Sequence, residues 1–127
     1  MKIAVSSYSF SQYIRDGRLT QLTCIAKAKE LGFDAIEFTD LQPPEGVTEE
    51  EYAHQIRQEC DRVGLPVSNY TIGADLLNQD LKEEVERLKK KVDIAAILGT
   101  SSMRHDACWG WKEGNVRGPQ GLRNIVD

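Results

Sequence analysis

Glu37 stands between Ile36 and Phe38 in the run Ala35-Ile36-Glu37-Phe38-Thr39. A carboxylate in so apolar a segment needs either a cation beside it or a wet pocket, because an unpaired charge is costly to bury. Side chains of a strand alternate between faces, so Ile36 and Phe38 share one side while Ala35, Glu37 and Thr39 share the other. A carboxylate on such a face can accept hydrogen bonds from a ligand or exchange a proton. Other residues offer related chemistry. Tyr8 and Phe10 bring aromatic surface, and Asn69 and Thr71 bring an amide and a hydroxyl. Arg104, His105 and Asp106 place a cation, an imidazole and a carboxylate side by side. Trp109 and Trp111 follow, as an apolar lid or as packing over a neighbour. The candidate ligand-binding residues are therefore Tyr8, Phe10, Glu37, His105 and Trp109. No His, Asp or Glu grouping has the spacing of a metal motif, so no metal ligand and no catalytic residue is assigned.

These residues need elements to position them. Gly32, Gly64 and Gly99 each follow a helical pattern and precede a strand-like run. A glycine just past a helix end can take the left-handed conformation that closes the helix. The spacings of 32 and 35 residues are those of one βα unit. Helices are expected at about 20–31, 48–63 and 80–98. In the first, Leu22, Ile25 and Ala26 should face inward. In the second, Tyr52, Ile56, Cys60 and Val63 form the apolar stripe, and Thr48 with Glu51 makes a start signal. In the third, the stripe is Leu81, Val85, Leu88, Val92 and Ala95, opened by Asp80 and Glu83. Strands are expected at 3–9, 35–39, 67–71 and 102–106, with a long loop over 107–121 and the first turn of another helix at 124–127. The order βαβαβαβ implies a parallel sheet with helical crossovers.

Composition narrows the function classes. The 127 residues suffice for one domain, and 40% of them are hydrophobic, enough for a core. The net charge of −4 comes from interspersed charges, which argues against nucleic acid as a partner. The run Lys89-Lys90-Lys91 reads as a solvated helix face, paired through Glu83–Arg87 and Glu86–Lys90. His54, mid-helix among polar residues, reads as surface. Three cysteines without a CxxC pair suggest a reduced, cytoplasmic protein. Neither a signal peptide nor a membrane span is expected.

Two architectures fit the alternation: an open doubly wound sheet, and the first half of a (β/α)8 barrel. The open sheet expects glycines or clustered acids after the first strand, and residues 6–11 have neither. The reading is therefore a single domain over 1–127, the first half of a TIM barrel. Glu37 then faces the barrel interior near its C-terminal end, where sites of this fold are built.

The segment from Ala26 to Glu37, with Glu30-Leu31-Gly32-Phe33-Asp34-Ala35-Ile36-Glu37 at its centre, resembles the xylose isomerase-like TIM-barrel superfamily, in particular its sugar phosphate isomerase and epimerase branch. Val63-Gly64-Leu65-Pro66-Val67 and Leu98-Gly99 leading to Arg104 and His105 fit the same pattern. The resemblance implies proton transfer between adjacent sugar carbons, assisted by a divalent metal (Mn, Mg, Co or Zn) held by later strands. It implies no metal in this chain alone. Tyr8, Phe10, Glu37 and His105 match positions that line the substrate side. A non-catalytic half-barrel that self-assembles is the alternative. An apurinic endonuclease-like enzyme, with His105 as a zinc ligand, is a weaker one because the third strand ends Ser68-Asn69-Tyr70-Thr71 without a histidine. The expected partners are a small sugar and further copies of the chain.

Overall fold

The computed structural model describes residues 1–112, 114, 118–120 and 123. The helical turn expected at 124–127, and the end of the loop at Gly121, lie outside them. In chain order the elements are β1 (Ala4–Ser6), a 3-10 turn (Ser7–Phe10), α1 (Ser11–Arg15), α2 (Thr23–Glu30), β2 (Ala35–Thr39), α3 (Glu49–Val63), β3 (Val67–Ile72), α4 (Leu81–Leu98) and β4 (Met103–His105). The strands form one sheet in the order β1-β2-β3-β4, and every pair is parallel. An open sheet of flavodoxin type would place β1 between β2 and β3. Strictly sequential neighbours are the arrangement of half a barrel.

The helix boundaries follow from capping chemistry. Thr48 and Glu51 form a complete capping box at the start of α3. Asp80 accepts from the Glu83 N–H at the start of α4. Gly64 and Gly99 close those helices at φ 67° and 78°, and Gly32 follows α2 at φ 88°. At the end of α4 the Arg57 guanidinium lies where a side chain on Gly99 would go.

The core lies between the sheet and the helices. Val5, Ile36, Phe38, Tyr70 and Ile72 from the strands meet Cys24, Ile25, Ala28, Tyr52, Ile56, Cys60, Ile94 and Leu98 from the helices. Burial pushes the Cys24 and Cys60 thiols up to about 12, so neither is a reactive thiolate near neutral pH.

Three expectations need correction. The first strand ends at Ser6 rather than at residue 9, because the chain turns into the 3-10 segment there and Ser6 Oγ accepts from the Tyr8 N–H at 3.3 Å. Ala26 is exposed and Ala28 takes its inward place. The helix α4 is also rotated from its expected stripe. Glu84, Ile94, Ala95 and Leu98 are buried, whereas Leu81, Val85 and Val92 are 40%, 36% and 53% exposed. The rotation turns the polar residues Glu84, Arg87 and Lys91 towards partners on the preceding units, described below.

Candidate functional site

On the face of the sheet away from the helices, a polar floor surrounds Glu37. Ile36 pairs with Val67, but Glu37 pairs with Asn69, so Ser68 is an extra residue in β3. Ser68 Oγ donates to the Ile36 carbonyl at 3.2 Å and holds the irregularity. Without this shift, alternation would send Asn69 to the helix side. With it, Asn69 and Thr71 share the face of Glu37. Asn69 Nδ2 donates to Glu37 Oε2 at 3.0 Å and to Thr71 Oγ1 at 2.8 Å, and Thr71 Oγ1 donates to Glu37 Oε2 at 3.1 Å. Asn69 Oδ1 is buried and meets no donor among the described residues.

Arg104 pairs with Thr71 and His105 with Ile72, which settles their orientation. Arg104 belongs to the Glu37 face, with its guanidinium 2.9 Å from Asp106. His105 belongs to the helix side, where its Nδ1 lies 2.8 Å from the Asp106 carbonyl oxygen. Partial burial alone would raise the Glu37 pKa. Hydrogen bonds from Asn69, Ser6 and Thr71, together with the Arg104 charge, outweigh it and hold the carboxyl below its usual range.

Above Glu37, at the C-terminal end of β2, Ser7 Oγ accepts from the Thr39 N–H at 3.1 Å and meets Thr39 Oγ1 at 3.3 Å. Gln21, 3% exposed, donates to the Asp40 carbonyl at 3.0 Å and accepts from the Gln42 N–H at 2.7 Å. These bonds brace one wall of a cleft whose rim carries Tyr8, 71% exposed. Phe10 turns the other way, is 7% exposed and packs in the core. Of the five expected ligand-facing residues, Glu37 and Tyr8 lie on or beside the inner face. Phe10 and His105 point to the helix side. Asn69, Thr71 and Arg104, which the sequence offered beside those five, join Glu37 on this face.

A second polar region joins the tops of β2 and β3 to α3 and α4. Lys91, its side chain 12% exposed, bridges Asp40 at 2.9 Å and Glu49 at 2.5 Å. The buried Tyr70 hydroxyl donates to Glu49 at 3.1 Å, and burial pushes its pKa upward. Lys91 is therefore not part of a solvated lysine face. Arg87 pairs with Glu84 at 2.8 Å rather than with Glu83, and also donates to the Gly73 carbonyl. Glu84 accepts from the Asp75 N–H at 3.0 Å, and its pKa is held at about 2, chiefly by Arg87. Asp75, 3% exposed, accepts from the backbone and side chain of Asn78. Its carboxylate also accepts from the backbone N–H of Trp109. The Leu76 N–H donates to the Ala107 carbonyl at 2.9 Å and Asn78 Nδ2 to the Gly110 carbonyl at 2.9 Å, so the loops after β3 and β4 are stitched together. The Trp109 ring lies over Gly73, where an added Cβ would stand 2.9 Å from it. Trp109 thus borders a cleft shared with Asp40, Glu84 and Arg87, on the far side of the sheet from Glu37.

The residues around Glu37 do not compose a metal centre. Among the described residues, no group of three His, Cys, Asp or Glu side chains converges. The groups that reach Glu37 are an amide, hydroxyls and a guanidinium, which are donors to an anion and not further ligands for a cation. Such a floor suits a ligand carrying several hydroxyl or carbonyl oxygens. A family model described as xylose isomerase-like TIM barrel matches residues 25–127. No curated protein matches the chain. Among the described residues, no helix is long and apolar enough to cross a membrane.

Proposed function

The chain belongs to the xylose isomerase-like TIM-barrel family, and from that premise we propose that it supplies the substrate-binding wall of a sugar isomerase or epimerase. The observation that carries this reading is the Glu37 carboxylate, facing the inside of the sheet among Asn69, Thr71 and Arg104. Held ionised, it accepts hydrogen bonds from sugar hydroxyls, while Arg104 donates to a carbonyl or hydroxyl oxygen. Its lowered pKa makes it a weak base near neutral pH, so its role is to bind and orient rather than to carry the proton. The divalent metal that the resemblance implies does not fit the residues around Glu37, where among the described residues no three His, Cys, Asp or Glu side chains converge. By the same reasoning, the 127-residue chain by itself does not isomerise sugars. The location in keeping with this reading is cytoplasmic.

The test is Glu37→Gln in a protein whose barrel is complete. Gln keeps an acceptor for Asn69 and Thr71 but loses the charge. Turnover or sugar affinity should fall by about tenfold or more, the worth of a charge-assisted hydrogen bond, with stability changed by less than about 1 kcal/mol. An unchanged rate and affinity would sink the proposal. Calorimetric titration of the 127-residue chain with Mn or Zn should show no stoichiometric submicromolar binding, and such binding would mean that a metal centre exists in these strands after all.

A further inference from the structure

The cleft over the ends of β1 and β2, about 240 Å³ in volume, divides its polar groups into two kinds. Ser7, Gln21 and Thr39 are committed to one another and to the backbone, and they brace its wall. Tyr8, Ser11, Arg15 and Gln42 also border it, and among the described residues their side chains have no hydrogen-bond or ion-pair partner. All four can donate, one is a full cation, and no carboxylate lines the cleft. Asp16, the carboxylate adjacent to Arg15, is already taken by Arg18 at 2.8 Å. Ser11 and Arg15 stand four residues apart on α1, on one side of the helix, and Tyr8 lies three residues before Ser11.

A braced wall facing uncommitted donors and one unpaired guanidinium is the chemistry of an oxyanion site. We propose that this cleft is a subsite for a small oxyanion, a phosphate or a carboxylate, held by Arg15 with Tyr8, Ser11 and Gln42. Thr39 in its wall is two strand residues beyond Glu37 on the same face, a distance of roughly 7 Å. A ligand with an anionic end at Arg15 therefore sets its hydroxyl-bearing carbons over Glu37. The substrate class is then an acidic sugar, a sugar phosphate or sugar acid. That last step rests on the function proposed above, whereas the subsite itself does not.

The test is an amide chemical-shift titration of the 127-residue chain with inorganic phosphate, with glycolate, and with glucose as a neutral polyol, at constant ionic strength. Phosphate or glycolate should shift the Tyr8, Ser11 and Gln42 amides saturably. Whichever anion binds more tightly names the source. Arg15→Gln should weaken that response about tenfold, and Arg15→Lys should restore part of it. Because Arg15 is exposed and unpaired, the same spectra will show the fold unchanged. An equal response in Arg15→Gln, or unsaturable shifts spread over Lys82, Lys89 and Lys90, would overturn the subsite. Glucose is the neutral control and should leave the Tyr8, Ser11 and Gln42 amides unmoved. The Glu37→Gln assay in the complete barrel reads the other proposal separately: if phosphate saturates the cleft but that assay shows no change, the subsite stands and the sugar-binding wall fails.

Discussion

Lys89, Lys90 and Lys91 are neighbours in sequence with opposite surroundings. Lys89 meets Glu86 in solvent, whereas Lys91 is the shared cation of Asp40 and Glu49. Lys91→Gln should cost about 1–2 kcal/mol, less than a fully buried pair because Asp40 and Glu49 keep some exposure. Lys89→Gln and Lys90→Gln should each stay within about 0.5 kcal/mol. Urea denaturation of the three variants checks this, and equal midpoints would count against it. Glu84 makes a prediction in pH. Its folded pKa of about 2 lies below its ordinary 4.5, so its contribution is complete above about 4.5 and is lost as pH falls towards 2. Glu84→Gln should lower stability at neutral pH by about 2 kcal/mol and flatten the loss between those limits. A parallel acid limb in the variant would show that Glu84 is not the group responsible. At this scale the sequence was readable where a strand is long enough to alternate. Five residues of β2 orient Glu37 without help. Three residues of β4 do not orient Arg104 and His105, and only the pairing with β3 does. The place of Asn69 depends on one extra residue in β3, which no pattern within that strand announces.

Elements were legible where their ends carry their own chemistry. Thr48 with Glu51, Asp80 with Glu83, and the glycines after the helices needed nothing from the rest of the chain. Gly64→Ala should cost about 1–2 kcal/mol, the penalty of a side chain at positive φ. Gly99→Ala should cost at least as much, since it must also displace the Arg57 guanidinium. In an Arg57→Ala background that excess should vanish, which a thermodynamic cycle on urea midpoints would measure. A cost for Gly99→Ala below that of Gly64→Ala would argue against the close approach. The rotation of α4 was not legible, because two apolar stripes overlap on that helix. Leu88 and Ala95 belong to both. What selects between them is tertiary, namely the carboxylates Asp40 and Glu49 waiting for Lys91.

Taken whole, the four-stranded sheet has β1 and β4 as its two edges. Exposed apolar side chains accompany both. Ile3 and Leu31 are near the first, while Val85 and Val92 lie on α4 beside the second. Parallel sheets are normally covered on both faces, and open edges pair with other chains. Burying such surface is favourable at about 25 cal/mol per Å². The 127-residue chain is therefore expected to be a dimer or higher oligomer at micromolar concentration, and Val85→Lys together with Val92→Lys should shift it towards monomer. Sedimentation measures both. A stable monomer of the unaltered chain would refute the expectation. Sequential strand order was legible at this scale because nothing after the first strand asked for the other topology.

Five of the hydrogen bonds that join successive units close loops of nearly one size. The Ile3 N–H reaches the Asp34 carboxylate across 31 residues, Ser7 meets Thr39 across 32, Asn69 and Thr71 reach Glu37 across 32 and 34, and Lys29 reaches the Gly64 carbonyl across 35. The entropic cost of closure grows only with the logarithm of loop length, so each docking costs the same and none waits for a later one. Folding can then advance by accretion. During synthesis, β2, which pairs with β1 on one side, has β3 on the other as soon as Ile72 has cleared the ribosome, and α4 with β4 settles on a platform already formed. The kinetically exposed part of such a chain is always its newest unit. A pause in translation would leave the last helix, not the first, to find an unwanted partner.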